Sequence, residues 1–426
     1  MKLLILAGGK GTRLGLTDIP KPMVPIDGIP LLERQILLAK SFGITEIFLL
    51  TGYKYDIIYN HFKNGKSLNV KLTYLHEPYP LGTAGSLKLA ENLFRSDERF
   101  LVFYGDLALD IDIQKFIDYD SNHLNSIGTL MVHPNTHPLD SDLVEITDDG
   151  KVLRFLTKPH DSDLLFQNLA NAAVYILSSR IYSYIPDNNI CDLAGSIFPE
   201  VIKSGEIFYV YNTPEYLKDM GTPERLEKVN KDFKEGKPKK RNLLSTRKAI
   251  FLDRDGVLNE NIDPPNPDNY QLLPNVPKAV KKINQSDYLA IVVTNQPAVA
   301  KGYITREELK YCHTKLETLL GREGAYLDAI YYCPHHPESG FKGEVKELKI
   351  PCNCRKPNPG MLLEAKEKYS IDLKNSWMIG DSESDLIAGK KVECNTIFIG
   401  NKNSNYADYN ADDLFEAVEL IFSKGI

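Results

Sequence analysis

Short apolar runs punctuate the chain from end to end and restrict its fold more than any other feature. "KLLILA", "EIFLL", "FLVFYGD", "KAIFLDRDG", "LAIVVTN" and "SWMIGDS" each lead through Gly, Asp, Thr or Asn towards a segment with helical spacing, such as 31–42 or 305–320. A strand that is apolar on both faces must be covered on both faces, as the strands of parallel α/β sheets are. The pattern predicts an α/β chain throughout, with the polar residues at strand ends placed where open α/β sheets hold their ligands.

With 426 residues the chain exceeds a single ordinary core and implies two or three domains. The segment "KDFKEGKPKKRN" breaks the pattern: it is charged, carries Gly236 and Pro238, and has no apolar period. We therefore expect a first domain over 1–235, a basic linker over 236–246 and a second domain over 247–426. A formal net charge of −6 argues against a broad basic surface for nucleic acid. No apolar run approaches the ~20 residues that would cross a membrane, and "MKLLILAGG" is too short for a signal peptide. Six cysteines do not form a dense disulfide framework, and their C-x-H and C-x-C spacings suggest metal in a reducing, cytoplasmic setting.

The first strand runs into "LAGGKGTRL", whose glycines let backbone N–H groups approach an anion. It fits neither G-x-x-x-x-G-K-[ST] nor G-x-G-x-x-G. Its continuation does carry information: "PKPMVPIDGIPLLE", "LGTAG", "YGD", "FLTKP" and "KDMGTPERL" follow in order. Together these resemble the sugar-phosphate nucleotidyltransferase family over nearly all of 1–230, which implies a Rossmann-like nucleotidyltransferase fold. By that resemblance Gly8, Gly9, Gly11 and Thr12 wrap a nucleotide, while Arg13 and Lys21 hold its phosphates. Lys158 would hold the sugar phosphate, and Glu77, Gly82 and Thr83 would lie at the base. Asp106 and Asp219 would bind Mg²⁺, a hard cation suited to oxygen ligands. Such a reaction needs positioning and charge neutralisation rather than a side-chain nucleophile. The chain departs from its relatives at Thr157, where they commonly carry an acidic residue.

In the second half, Asp253 and Asp255 follow an apolar run, two residues apart. "IVVTNQ" then supplies Thr294 and Asn295, "CRKPNPG" supplies Arg355 and Lys356, and "WMIGDSESD" supplies Asp381 and Asp385. This ordered set resembles the haloacid dehalogenase superfamily of phosphatases and implies its Rossmannoid fold. The resemblance makes Asp253 the nucleophile that forms an aspartyl-phosphate, and Asp255 the general acid and base. Thr294 would bond a phosphoryl oxygen, Lys356 would offset charge, and Asn295 and Arg355 would bind substrate. Asp253, Asp255 and Asp381 would hold Mg²⁺, with Asp385 as a weaker partner. "DRDGVLNE", "TNQ" and "CRKPNPGM" look most like heptose bisphosphate phosphatases, with the phosphatase of histidine biosynthesis as the nearest competitor. "QPAVAKG" departs from the Q-S-G-I-A-R-G of those relatives.

Cys333, His335, Cys352 and Cys354 supply four ligands, enough to fill a tetrahedral Zn²⁺ shell and leave no open position. His336 is the alternative ligand, and the family spacing favours His335. Because Cys354 runs directly into Arg355 and Lys356, the zinc is expected to brace the loop that presents them.

Two such domains on one chain suggest consecutive steps. A phosphatase that trims a sugar bisphosphate leaves the sugar 1-phosphate that a nucleotidyltransferase consumes. The family pairing implies heptose 1,7-bisphosphate as substrate and GTP as the favoured nucleotide. The alternatives are another sugar or polyol phosphate with CTP, or one domain kept as a regulatory binding module. Partners are then nucleotides and sugar phosphates, with no nucleic acid and no membrane; a homo-oligomer is left open.

Overall fold

The opening run forms β1 (Lys2–Leu6), and its burial explains its composition. Leu3 and Ile5 enter the apolar cluster on one face of the sheet, and Leu4 enters the cluster on the other. Each such side chain contributes roughly 1.5–3 kcal/mol by leaving water. The computed structural model describes residues 1–11, 14–15, 18–187, 189–262, 264–400 and 404–423. Among the described residues no helix is long and apolar enough to cross a membrane.

The chain divides into two compact units. The first comprises Met1–His133, Ser141–Pro159 and Leu169–Asn242. After β1 come α1 (Leu31–Ser41), β2 (Glu46–Thr51), β3 (Lys71–His76), α2 (Gly82–Lys88), β4 (Arg99–Tyr104) and β5 (Leu107–Asp110). Then follow β6 (Gly128–His133), β7 (Leu143–Ile146), β8 (Val152–Leu156), β9 (Ala170–Ser178), β10 (Phe208–Asn212) and β11 (Tyr216–Asp219). The unit closes with α3 (Pro223–Lys234) and α4 (Lys237–Arg241).

The nine-stranded sheet runs β8-β7-β9-β4-β1-β2-β3, with β6 beside β9 and β10 beside β6. Only part of it matches the all-parallel expectation. β1 to β4 pair in parallel, but β9 joins β4, β6 and β7 antiparallel, and β7 meets β8 antiparallel. β7 and β8 are joined by a turn at 147–151 with Gly150 at φ +79°, too short for the helix that a parallel return needs. The "DDG" before Lys151 is the signal that marks it.

The second unit comprises Pro134–Asp140, His160–Asn168 and Leu243–Ile426. Its elements include β12 (Lys248–Leu252), β13 (Tyr288–Asn295), α5 (Arg306–Arg322), β14 (Ala329–Cys333), α6 (Gly360–Tyr369), β15 (Trp377–Gly380), α7 (Glu383–Lys390), β16 (Asn395–Ile399) and β17 (Tyr409–Ala411), with further helices over Val276–Gln285 and Leu414–Ser423. All six strands run parallel in the order β14-β13-β12-β15-β16-β17. Central β12 again alternates between two cores, Ile250 and Leu252 on one side, Ala249 and Phe251 on the other.

The units differ from the expected domains in two respects. Residues 236–246 are not a bare linker: α4 packs on β5 and β11, and Asn242 Nδ2 donates to Asp110 Oδ1 at 2.6 Å. Segments 134–140 and 160–168 belong with the second unit, where Phe166 is buried. Its N–H donates to Thr318 Oγ1 of α5 at 2.9 Å, and Arg322 Nη2 donates to Ser162 O at 2.8 Å.

Candidate active sites

In the first unit, the turns after β1, β3 and β4 surround a cavity of about 340 Å³. Gly8, Gly9, Gly11, Lys21, Glu77, Gly82, Thr83 and Asp106 line it, so eight expected residues converge. Thr12 and Arg13 lie outside the described residues. Two glycines give the pocket its room, and Gly82 is obligatory because its clash is with backbone at positive φ. A Cβ on Gly8 would meet Glu77 Oε1 at 2.4 Å, and Gly82 at φ +74° would meet Cys191 O at 2.3 Å.

Glu77 is buried against the glycine turn, and Ser86 Oγ of α2 donates to its Oε1 at 2.7 Å. Thr83 Oγ1 donates to Asp192 Oδ2 at 2.7 Å and accepts from Leu193 N–H at 2.8 Å. Neither Ser86 nor Asp192 was foreseen, since neither stands in a motif of recognisable spacing.

The two acidic residues meet through sheet register. β11 pairs antiparallel with β5 so that Asp219 stands beside Leu107, the neighbour of Asp106. Lys21 Nζ reaches Asp106 Oδ2 at 2.5 Å. Burial pushes the Asp219 carboxyl up. The hydrogen bond from Arg225 (2.6 Å), the Gly221 N–H and the charges of Arg225 and Lys21 outweigh it and hold the carboxyl below its ordinary range. Lys21 thus acts electrostatically on both acids. Lys158 differs from this group: it is exposed beyond β8, its N–H donates to Asp142 Oδ1, and it is absent from the cavity lining.

In the second unit the chemistry gathers at the strand ends. Asp253 follows β12, and its backbone N–H bonds Ile379 O of β15. Asp253, Asp381 and Asp385 bring carboxylate oxygens within 4.8 Å of one another. Lys356 Nζ lies 2.9 Å from Asp253 Oδ1 and 2.5 Å from Asp385 Oδ1, and donates to Val293 O at 2.7 Å. Burial and the charge of Asp385 push the Asp253 carboxyl up to about 7 against the pull of Lys356. Burial and Asp385 also raise Asp381. For Lys356, burial lowers the ammonium's pKa, but Asp253 and Asp385 outweigh it and hold the group above its ordinary value. One ammonium leaves three clustered carboxylates short of positive charge, so the set fits a divalent cation.

Asp255 stands apart from that set, although it was expected among the Mg²⁺ ligands. Its oxygens accept from Arg254 Nε (3.0 Å) and Nη2 (2.9 Å), Asn259 Nδ2 (2.8 Å) and Gln296 Nε2 (2.6 Å). Asp385 takes the third place, held as residue N3 of a capping box with Ser382 at the start of α7. Gly256, at φ +81°, leaves room for Asp381, whose Oδ2 would lie 2.0 Å from a Cβ there.

Gln296 Nε2 also reaches Thr294 Oγ1 at 3.0 Å and so links Asp255 to the expected phosphoryl contact. The Asn295 amide is engaged with protein: Nδ2 donates to Lys356 O and Oδ1 accepts from Lys356 N–H, both at 3.0 Å. Arg355 Nη1 donates to His335 O at 3.4 Å.

Cys333 ends β14, and Cys352, Cys354 and His335 Nδ1 close around it. Sulfur–sulfur distances are 3.2–3.5 Å and sulfur–nitrogen distances 3.3–3.6 Å. A tetrahedral Zn²⁺ with ~2.3 Å sulfur bonds needs edges of about 3.8 Å, so the four side chains form a ligand set of the right kind that would open by a few tenths of an ångström around such an ion. His336 turns away, its Nδ1 towards Glu338 O and its ring against Phe341.

A glycine-lined pocket with paired acids and a lysine, and a centre where a buried lysine meets three clustered aspartates, define an enzyme of phosphoryl chemistry with two centres. Comparison with known proteins gives the families. A model described as nucleotidyl transferase matches residues 2–236, and one described as HAD-hydrolase-like matches residues 353–418. The D-glycero-β-D-manno-heptose-1,7-bisphosphate 7-phosphatase of Pasteurella multocida (strain Pm70) is 37% identical over 179 residues, covering 39% of this chain and 95% of that protein. The Escherichia coli (strain K12) enzyme of the same name is 37% identical over 149 residues, covering 35% of this chain and 76% of that protein. Among solved structures, HddC from Yersinia pseudotuberculosis complexed with GMP-PN is 30% identical, with a TM-score of 0.47; the match covers 55% of this chain and 99% of that one. By the extent of the family match and of the phosphatase matches, the chain belongs to the nucleotidyl transferase family in its first part and to the HAD-type heptose bisphosphate phosphatase family in its second.

Proposed function

We propose that the chain performs two consecutive steps of nucleotide-sugar synthesis. The second unit removes the 7-phosphate of heptose 1,7-bisphosphate. The first unit then transfers GMP from GTP to the resulting heptose 1-phosphate, giving GDP-heptose and pyrophosphate. The observation that carries this reading is the Asp253–Lys356–Asp381–Asp385 cluster, on a chain segment that matches heptose bisphosphate phosphatases over up to 96% of their length.

In the phosphatase step an Asp253 oxygen forms the new bond to phosphorus while the bond to the sugar oxygen breaks, and Asp255 protonates that oxygen. Asp255 then takes a proton from water, which hydrolyses the aspartyl-phosphate and restores Asp253. Arg254, Asn259 and Gln296 orient Asp255, while Thr294, Arg355 and Lys356 hold the phosphoryl oxygens. Mg²⁺ held by Asp253, Asp381 and Asp385 would supply charge neutralisation. Zn²⁺ held by Cys333, His335, Cys352 and Cys354 would brace the loop before Lys356.

In the transfer step a sugar-phosphate oxygen attacks the α-phosphorus of GTP and pyrophosphate departs. Gly8, Gly9 and Gly11 would admit the nucleotide, Lys21 and Arg13 would hold its phosphates, and Lys158 the sugar phosphate. Asp106 and Asp219 would hold Mg²⁺. GTP is favoured because Glu77 offers a buried carboxylate in the pocket. Guanine alone presents two adjacent donors, N1–H and the 2-amino group, on one edge, whereas a carboxylate repels the flanking carbonyls of uracil. A cytoplasmic setting belongs to the same reading, since the clustered cysteines are free thiols suited to metal.

The test is a matrix of GTP, CTP, ATP and UTP against heptose and other sugar phosphates in both anomers, read as pyrophosphate and phosphate release. GTP with heptose 1-phosphate should be the best pair. A better rate with CTP and another acceptor would replace the substrates and leave the two reaction classes standing.

A further inference from the structure

Gln35 stands on α1, outside every motif, yet it is only 1% exposed. Its Nε2 donates to two backbone carbonyls at once, Leu107 O at 2.7 Å and Tyr104 O at 2.9 Å. Those carbonyls bracket Gly105 and Asp106. An amide nitrogen has two protons, and here both serve the turn that carries the acid.

The same turn is held from two other directions. The Gly105 N–H donates to Leu6 O of β1 at 2.9 Å, and a Cβ at Gly105 would come within 2.9 Å of that oxygen. On the far side, the β5–β11 pairing fixes Leu107 against Asp219. Without Gln35, the carbonyls on both flanks would lose a buried donor, and the turn would keep only those two restraints. The Asp106 carboxylate, which meets Lys21 at 2.5 Å, moves with those peptides.

We propose that Gln35 is a positioning residue for nucleotidyl transfer. It fixes the 104–107 turn so that Asp106 presents its carboxylate beside Asp219, towards the cation that accompanies the nucleotide phosphates. This rests on the reading that Asp106 and Asp219 hold that cation. Partners that orient metal ligands typically matter by 10–100-fold when removed, and Gln35 acts in this way through the backbone.

The experiment measures binding of a fluorescent N-methylanthraniloyl-GTP with and without Mg²⁺, in the full chain and in Gln35→Leu and Gln35→Glu. The expected result is metal-free affinity within about two-fold of the parent, and a Mg²⁺-dependent gain reduced by about ten-fold. Pyrophosphate release should fall with it, and phosphate release should stay at the parental level. An unchanged Mg²⁺-dependent gain in both variants overturns the proposal. Loss of metal-free binding in both also overturns it, because Gln35 would then be a packing residue of the pocket. Asp106→Asn and Asp219→Ala are read in parallel. If these leave the Mg²⁺-dependent gain intact, the ligand assignment fails, whatever Gln35 does.

Discussion

Lys21 and Lys356 each rest on a carboxylate, yet their surroundings differ in kind. The partner of Lys21, Asp106, has a side chain 41% exposed, in a cavity open enough for a nucleotide. Lys356 is 1% exposed and lies between Asp253 at 13% and Asp385 at 0%. The first centre receives two polyanions and needs space and positive charge that its substrates can share. The second, on the proposed reading, uses Asp253 as its nucleophile, and it assembles its charges away from water, where they interact more strongly. One centre is completed by what enters it; the other is nearly complete before anything enters.

The largest test of this contrast is to remove one acid from each centre. Asp253→Asn takes away the nucleophile and should lower phosphate release by about 10³-fold or more, with pyrophosphate release unchanged. Asp219→Ala should do the opposite, by about 10²-fold. Parallel assays of both products decide the matter. If either change silences both reactions in a folded protein, the two centres are not separate.

Next in size is the brace. Cys352→Ser removes one ligand of the Cys₃His set, and the loop it closes runs through Arg355 into Lys356. Zinc content by mass spectrometry should drop, and phosphate release should fall about ten-fold without an effect on nucleotidyl transfer. Parental phosphatase activity in a zinc-free protein would show that Lys356 is held well enough by Asn295, Val293 and its two aspartates without the brace.

The motif residues that converge, such as Gly8, Lys21 and Asp106 in one unit and Asp253, Lys356 and Asp381 in the other, were legible because their motifs pair a reactive side chain with a glycine or a strand end; nothing in the spacing set Lys158 or Asp255 apart from them. The apolar runs likewise announced β1, β2, β4, β12, β13 and β15. Other parts left no such trace. Gln35 acts through two backbone carbonyls, and a glutamine with that task looks like any other helical glutamine. Arg254 sits inside "DRDG" but reads as a spacer until its guanidinium is found buried on Asp255. Phe166 and Ser162 lie amid first-unit sequence, and only Thr318 and Arg322, some 150 residues on, reveal where they pack. Contacts between distant segments are set by the whole fold, and no local spacing encodes them.

A smaller effect follows from protons at the dry centre. Without metal, burial and Asp385 lift Asp253 to about 7, so a proton and Mg²⁺ compete for it. Metal requires the carboxylate. The Mg²⁺ concentration for half-maximal phosphate release should therefore rise about ten-fold between pH 8 and pH 6, given an apparent value near 7. The half-maximal Mg²⁺ for pyrophosphate release should shift less, because Asp219 is held below its ordinary range. Equal shifts at both centres would erase the contrast.

The smallest effect concerns a carboxyl with no part in the chemistry, and it shows what the raised value at Asp253 does and does not mean. Burial lifts Glu317 of α5 from 4.5 to about 7, opposed only weakly by the Asn168 N–H. A high carboxyl value alone therefore marks desolvation; at Asp253 the lysine and two further acids make it a site. Because the folded value exceeds the unfolded one, Glu317 favours folding fully below about 4.5, and this contribution is lost as pH rises through about 7. Glu317→Gln carries no charge at any pH. Its melting temperature should equal the parent's at pH 4 and exceed it by a few degrees at pH 8, since about 1 kcal/mol moves a domain of this size by 2–4 °C. A gap that is constant across that range would mean that Glu317 is solvated in the folded protein, and that the dryness of the second unit ends at its catalytic centre.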